Sequence, residues 1–199
     1  MQRYLAAMTA ALAFCLVSSP ASAGLVIEII ESAGNVEASY TGDFNIAATQ
    51  SLAGTSPSFN TIRPLGGNIA FTFGTTDIYT IDVPWTPFGP GFSNTPWGPS
   101  SGDALALFSD PALGLPTGYV SGPIMGSATR NSADFSSLGL TPGSYVTTIT
   151  NGNVSDTVTV NVIASVPEPA TLALFAFGLT GLAAASGRLK AIGQSAKPA

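Results

Sequence analysis

The sequence predicts an all-β fold, namely a single antiparallel sandwich- or barrel-like domain between a signal peptide and one C-terminal transmembrane helix. Three observations predict the β domain between residues 24 and 165. Apolar and polar residues alternate in several short segments, no long apolar pattern with a 3.6-residue period occurs, and Gly, Pro and Asn separate the segments. Short alternating segments of this kind are typical of sandwiches and barrels.

Three pairs of segments are predicted strands. GSYVTTIT and SDTVTVNVI flank Asn151-Gly152-Asn153, which favours a tight turn, and the second segment places three valines on one face. LVIEIIE and NVEASYTG form a similar pair around residues 32–35. NIAFTF and DIYTIDV are predicted to form a third pair, joined by residues 74–76.

The segment PWTPFGPGFSNTPWGPSSG, residues 84–102, interrupts this pattern. Its five prolines exclude a central strand and predict a long loop. Four aromatic side chains, Trp85, Phe88, Phe92 and Trp97, lie between the prolines. They are candidates for an aromatic surface that stacks on sugar rings. The alternative, which we favour, is a loop held on the sandwich by its own aromatic side chains.

Residues 1–23 have the order of a secretory signal peptide. One early cation precedes an apolar stretch, residues 5–17, and the small residues Ala21 and Ala23 follow. Cleavage by signal peptidase is predicted after Ala23, so that Gly24 begins the mature chain. An N-terminal membrane anchor is the alternative, but the apolar stretch is shorter than the ~20 residues of a usual span.

The predicted exported domain, residues 24–165, is acidic and contains no cysteine. Its ten acidic residues and two arginines give a side-chain net charge of −8. This charge is repelled by phosphate backbones and argues against nucleic-acid binding. Because Cys15 is the single cysteine of the chain, the mature domain depends on packing and hydrogen bonds rather than on disulfides.

The residue types of a conventional active site are missing. The chain has no histidine, which excludes Ser-His-Asp catalysis and histidine-containing zinc sites. Two acid pairs, Asp77 with Asp82 and Asp103 with Asp110, are candidates for a carboxylate-dependent glycosidase. Their odd separations place the members of each pair on opposite faces of a strand, so we interpret them as solvated acids at strand ends. We predict no enzymatic activity and no cofactor, although SGDALALFSD and NGNVSD are oxygen-rich candidates for Ca²⁺ binding.

An uncharged run from Ala170 to Ser186 predicts a transmembrane helix at the short end of the usual range. Basic residues follow it, and positive charge beside a span tends to stay in the cytoplasm. Together with the signal peptide, this pattern predicts a domain outside the membrane and a basic cytoplasmic tail, residues 187–199. A buried core helix is the alternative, but two prolines break the chain just before the run.

The segment VPEPATLALFAFGLTGLAAASGRLK, residues 166–190, resembles the PEP-CTERM sorting signal of exopolysaccharide-producing bacteria. The resemblance implies that exosortase, a membrane-embedded cysteine transpeptidase, recognises Pro167, Glu168 and Pro169 and removes the tail. Two prolines favour an extended backbone, which suits a protease-like groove. The basic residues after the apolar run are more widely spaced than the compact arginine-rich cluster of that family.

Residues 115–149 are similar to a recurrent segment of small PEP-CTERM proteins of unassigned function. Residues 116–122 correspond to the P-[ST]-G-Y-V-S-G stretch of those proteins, and residues 137–145 correspond to S-L-G-L-T-P-G-[ST]-Y. Thr141-Pro142-Gly143 indicates a turn before a strand. This resemblance implies a family but no catalytic role.

Three hypotheses about function follow from the sequence. The first is an exported, non-catalytic surface or extracellular-matrix protein of a Gram-negative-type bacterium, anchored in the membrane before processing and associated with exopolysaccharide or biofilm. The second is a carbohydrate-binding module that uses the aromatic residues of the loop. The third, weakest hypothesis is a glycosidase. A permanently membrane-anchored envelope protein is the alternative to processing by exosortase.

Overall fold

The computed structural model describes residues 24–71 and 74–164, and the all-β prediction is confirmed for them. In chain order their thirteen strands are β1 (Leu25–Ser32), β2 (Asn35–Gly42), β3 (Ser51–Ser58), β4 (Thr61–Arg63), β5 (Asn68–Phe71), β6 (Gly74–Thr80), β7 (Thr95–Pro96), β8 (Ser100–Gly102), β9 (Leu105–Phe108), β10 (Ala112–Pro116), β11 (Ile124–Arg130), β12 (Gly143–Asn151) and β13 (Val154–Ile163). The described residues also form one short α-helix, α1 (Phe135–Leu138), and two 3-10 turns, Ile46–Ala48 and Pro64–Gly66.

The strands form two sheets that share one core. The six-stranded sheet has the order β12-β13-β1-β2-β11-β8, and the seven-stranded sheet has the order β3-β6-β10-β9-β5-β4-β7. Buried side chains from both sheets belong to a single apolar cluster. Across it, the rings of Tyr40 on β2 and Phe71 on β5 lie 4.8 Å apart between centroids. The architecture is therefore a sandwich rather than a closed barrel.

Two of the three predicted strand pairs are confirmed. β1 pairs with β2 across Ala33 and Gly34, which both have positive φ, and β12 pairs with β13 across a turn in which Gly152 has φ of 60°. Tight hairpin turns require this left-handed backbone, which glycine adopts readily. The predicted face of β13 is also confirmed, because its inward-facing valines are buried: Val158, Val160 and Val162.

The third predicted pair is wrong. β5 and β6 belong to the same sheet, but β10 and β9 lie between them. Alternation identified both strands, but the β9–β10 hairpin that separates them comes later in the chain, and the local pattern does not reveal it.

The six-stranded sheet is not purely antiparallel. β1 pairs with β13 in parallel, with Leu25 opposite Val158 and Ile30 opposite Ile163. The first and last strands of the domain are therefore direct neighbours in the interior of the sheet. One face of each strand is buried, and both edges of each strand are already paired, so neither offers an open edge.

The Pro-rich segment is not a continuous loop, as residues 84–102 were predicted to be. It contains β7 at one edge of the seven-stranded sheet and β8 at one edge of the six-stranded sheet. Proline is tolerated on edge strands because it has no N–H to donate. Two very short strands thus terminate the two sheets.

Three predicted segments lie outside the described residues: the signal peptide at 1–23, the sorting signal with its transmembrane helix near 170–186, and the basic tail at 187–199. Within residues 24–71 and 74–164, no helix is long and apolar enough to cross a membrane.

Candidate functional site

The aromatic side chains of the Pro-rich segment point mainly into the sandwich. Phe88 is fully buried, and Trp85 and Trp97 are 4% and 5% exposed, whereas Phe92 is 75% exposed. Trp85 Nε1 donates a hydrogen bond of 3.1 Å to the carbonyl oxygen of Ala112. The four rings therefore do not form one exposed surface.

The predicted sugar-stacking surface is corrected accordingly. The ring of Trp97 stacks on Phe71 at 6.4 Å with an interplanar angle of 17°, and the ring of Phe88 meets the edge of Tyr145 at 6.4 Å. A ring whose faces are covered by the core cannot stack on a polymer from solution. Apolar area favours burial in both cases, and of the four loop aromatics only Phe92 presents its ring to solvent.

A glycine-lined contact, which we call the clasp, joins loop residues 88–91 to residues 138–141. The N–H of Gly91 donates to the carbonyl oxygen of Gly139 at 3.1 Å, and the N–H of Thr141 donates to Phe88 O at 3.0 Å. A Cβ added to Gly139 would lie 2.6 Å from the Cα of Gly91. The two backbones approach this closely only because neither residue has a side chain.

The acidic residues act largely as acceptors for backbone N–H groups. Asp77 and Asp156 are each 8% exposed. Asp77 Oδ2 accepts from Gly118 N at 2.8 Å, and Asp156 Oδ2 accepts from Asn45 N at 2.7 Å. Burial of a carboxylate is tolerated when hydrogen bonds satisfy it. These two acids therefore connect distant segments of the chain.

The prediction that the paired acids are solvated at strand ends is wrong for Asp77. Its partner in the sequence, Asp82, accepts from Thr150 N at 3.2 Å. In the second pair, Asp103 is exposed and its Oδ2 accepts from Met125 N at 3.0 Å, whereas Asp110 is exposed. Sequence spacing could not predict these hydrogen bonds, because it does not reveal which backbone N–H group a carboxylate will contact in the fold.

Replacing Asp77 with alanine is expected to lower the free energy of unfolding by about 1–3 kcal/mol, because the N–H of Gly118 loses its acceptor in a partly buried position. The matched control is Asp110→Ala, an exposed acid for which a change within about 0.5 kcal/mol is expected. Urea unfolding of both variants measures the difference. Equal losses in the two variants would contradict the assigned role of Asp77.

Two tyrosine hydroxyls are held in the neutral form. Burial raises the pKa of Tyr40, and the nearby Asp103 carboxylate raises it further; burial and Asp77 act in the same direction on the pKa of Tyr79. The hydroxyl of Tyr40 donates a short hydrogen bond to the carbonyl oxygen of Asp103. The Tyr40 hydroxyl thus connects β2 to the residue just after β8.

Helix α1 begins with a capping box at Asp134. Asp134 Oδ1 accepts from the N–H of Ser137 at 2.7 Å and from the hydroxyl of Ser136 at 2.9 Å, while Ser137 Oγ accepts from the N–H of Asp134 at 3.1 Å. The backbone hydrogen bond from Ser137, followed by the two serine hydroxyls, lowers the pKa of the Asp134 carboxyl. The cap fixes the helix on which the clasp depends.

The cap should make stability pH-dependent in acid. Because the pKa of Asp134 is lower in the folded than in the unfolded chain, its stabilising effect is complete above the unfolded pKa of about 3.9 and is lost as the pH falls through the folded pKa. In the variant Asp134→Asn, the amide side chain caps a helix without titrating. The stability difference between wild type and Asp134→Asn should therefore shrink below about pH 4, as measured by urea unfolding from pH 7 to pH 2.5. A constant difference over that range would show that Asp134 does not act through its charge.

The described residues offer no cluster for a metal ion, since no three Asp, Glu, His or Cys side chains within 24–71 and 74–164 come together. In the two segments considered for Ca²⁺, Asp103 and Asp156 both accept backbone N–H groups. Asp156 accepts through both carboxylate oxygens and Asp103 through Oδ2.

A shallow groove of about 240 Å³ lies beside the clasp. It is lined by residues 90–93, 95 and 136–139, and its lining contains no charged side chain. Phe92 forms one wall of it. The sequence alone did not distinguish Phe92, the exposed ring beside the groove, from the three buried aromatic residues of the same loop.

Of the predicted processing residues, only Gly24 lies within the described part of the chain; Ala21, Ala23, Pro167, Glu168 and Pro169 lie outside it. Gly24 is buried, and a Cβ at this position would lie 2.4 Å from the carbonyl oxygen of Thr157. The predicted first residue of the mature chain is thus packed against β13.

Residues 24–164 therefore define a two-sheet β-sandwich domain in which the loop aromatics and most of the acids hold the fold together. Directly after this domain, a family model of the PEP-CTERM protein-sorting motif matches residues 165–189. The chain carries a PEP-CTERM sorting signal, and the resemblance predicted from residues 166–190 is confirmed. No curated protein and no solved structure matches the chain. The similarity of residues 115–149 to small PEP-CTERM proteins stays a prediction.

The motif bears on the location of the protein and on its processing. It indicates a C-terminal signal for export and for surface or extracellular localisation, and it implies processing by exosortase. Because β13 ends at Ile163, only residue 164 separates the last strand from the matched segment.

Proposed function

We propose that this chain is an exported, non-catalytic protein of the cell surface or extracellular matrix, which exosortase processes at its C-terminus and which associates with exopolysaccharide. The observation that carries the proposal is the PEP-CTERM motif at residues 165–189, placed immediately after a folded β domain. In this proposal, the uncharged run from Ala170 holds the chain in the membrane until the tail is removed.

A structural rather than catalytic role is supported by the use of the polar groups. The carboxylates that sequence spacing nominated for glycosidase chemistry accept backbone N–H groups at Asp77, Asp82 and Asp103. A glycosidase requires two carboxyl groups that both face the scissile bond. Carboxylates that accept hydrogen bonds from backbone N–H groups elsewhere in the domain are less available for that purpose.

Intact-mass spectrometry of the protein from wild-type cells and from cells lacking exosortase tests the proposal. We expect the wild-type mass to end near residues 167–169 and the mutant mass to retain the tail. In wild-type cells, a variant with alanine at Pro167, Glu168 and Pro169 should also retain the tail. The matched control replaces Lys197 and Pro198, beyond the matched segment, and should be processed normally.

The opposite result is equally informative. A wild-type mass that runs from Gly24 to Ala199 would make the chain a permanently anchored envelope protein and would refute processing by exosortase. Hydrolysis of the polysaccharide of the same cells by the purified protein would refute the non-catalytic part of the proposal.

A further inference from the structure

One end of the sandwich, which we call the exit end, comprises the β1–β2 turn at residues 33–34, helix α1 and loop residues 89–93. β13 finishes there, because Ile163 is the register partner of Ile30, near the end of β1. Glu31 Oε2 accepts from the N–H of Phe135 at 2.8 Å and so holds α1 beside this turn. The clasp in turn holds loop residues 89–93 beside α1. The chain therefore leaves the domain at the exit end.

Besides Ile163, which is 41% exposed where β13 ends, two apolar side chains project into solvent at this end. Phe92 is 75% exposed and Leu65 is 49% exposed. The N–H of Leu65 donates to Gly91 O at 2.8 Å, which places Leu65 on the chain segment that runs beside Phe92. The neighbouring groove has no charged side chain in its lining. The exposed carboxylate of Asp134, at the start of α1, must stay in water, so only the side chains of Phe92 and Leu65 can leave it.

The length of chain that follows β13 limits how far this end can lie from a bilayer. Six residues separate Ile163 from Ala170, where the uncharged run begins. Fully extended, this connection spans at most about 25 Å at ~3.6 Å per residue. If the run lies in the hydrocarbon core, this length is the upper limit on the distance between the end of β13 and the start of the run.

We propose that, before processing, the exit end rests on the lipid surface with Phe92 and Leu65 inserted at the boundary between headgroups and acyl chains. This inference rests on the proposed function, because it takes the run from Ala170 to enter the membrane. The contact is apolar rather than electrostatic, since the domain carries a net negative charge and would be repelled by anionic lipid. Its partner is therefore a zwitterionic lipid surface, and the contact is insensitive to salt.

The test uses the mature chain, residues 24–199, reconstituted into phosphatidylcholine vesicles. This chain contains no cysteine, so Ser93→Cys provides a single attachment point for an environment-sensitive fluorophore beside Phe92. The comparison probe is carried by Val120→Cys, at a position that is 72% exposed in the native protein. Val120 lies near Ile124, the partner of Gly42 at the other end of β2. A lipid with a nitroxide on its headgroup quenches whichever probe lies at the surface.

We expect quenching at position 93 to exceed quenching at position 120 several-fold. Phe92→Ser with Leu65→Ser should then remove most of that quenching, while Val120→Ser with Met125→Ser, two exposed apolar residues of the opposite end, should leave it unchanged. All four substituted side chains are exposed, and unchanged thermal unfolding of each variant confirms that the fold is intact.

Each other outcome overturns the inference. Equal quenching of the two probes would show that the domain has no preferred face. Quenching at position 93 that survives Phe92→Ser with Leu65→Ser would show that the tether alone brings the exit end close, without insertion. Quenching that disappears with added neutral polysaccharide from the same cells would assign Phe92 to a sugar instead of a lipid.

Vesicle flotation separates a failure of this inference from a failure of the proposed function. A chain that does not float with vesicles lacks the membrane stage altogether, which refutes both. A chain that floats but shows no difference between the probes refutes only the docking of the exit end.

Discussion

Phe88→Ala is expected to lower the free energy of unfolding by about 3–5 kcal/mol, the usual cost of removing a fully buried phenylalanine ring. Phe88 has no exposed surface and packs against Tyr145, while its carbonyl oxygen accepts from Thr141 N. Its loss leaves a cavity beneath the Pro-rich segment. Chemical denaturation followed by tryptophan fluorescence measures the loss, because Trp85 and Trp97 are both buried in the native domain.

The same loop supplies the control. Phe92→Ala removes an identical ring that is 75% exposed, so its effect should stay within about 0.5 kcal/mol. A large difference between the two variants shows that the segment is held on the sandwich through its buried aromatics. A comparable loss from both would mean that Phe92 also packs in the core, and the exposed exit end described above would not exist.

Gly139→Ala is expected to have the second-largest effect, because it combines backbone strain with overlap. Gly139 has φ of 65°, a left-handed conformation that costs an alanine about 1–2 kcal/mol. Its new methyl group would also lie 2.6 Å from the backbone of Gly91, and overpacking of this kind adds about 1–3 kcal/mol. The clasp must open to accommodate it.

Gly152→Ala separates the two contributions. Gly152 has φ of 60°, nearly that of Gly139, but a Cβ there would meet nothing within 4 Å. Gly152→Ala should therefore show the strain alone, and the excess loss in Gly139→Ala measures the crowding at the clasp. Thermal unfolding of both variants gives the comparison. Identical losses would mean that the two backbones separate at no cost and that the clasp does not restrain the loop.

The strand pairs that could be predicted are those that a recognisable turn sequence joins into a hairpin. The pairs β1–β2 and β12–β13 combine period-two alternation with a turn sequence, Ala33-Gly34 or Gly152-Asn153, that selects the hairpin. β5 and β6 show the same alternation without such a turn. Each pairs with one earlier strand, β4 or β3, and with one strand of the later β9–β10 hairpin, so the local pattern gives the strand but not the partner.

The candidate site shows the same limit at the level of side chains. The loop composition predicted that the four aromatic residues act together. In the structure Trp85, Phe88 and Trp97 are buried, whereas Phe92 is exposed. The four residues are chemically alike, and only the position of the surrounding sheets decides which ring is covered. The sorting motif could be predicted in full, because its information lies in the order of residues rather than in a fold.

The parallel pairing of β1 with β13 determines how the domain would respond to mechanical tension. A protein held at a surface through its C-terminus is pulled at Ile163, whereas the N-terminal end at Leu25 lies at the opposite end of the paired stretch. A pull between these points acts along the strands, so the hydrogen bonds between β1 and β13 lie across it and share the load in shear instead of opening one after another. Such a domain is expected to extend only at high force.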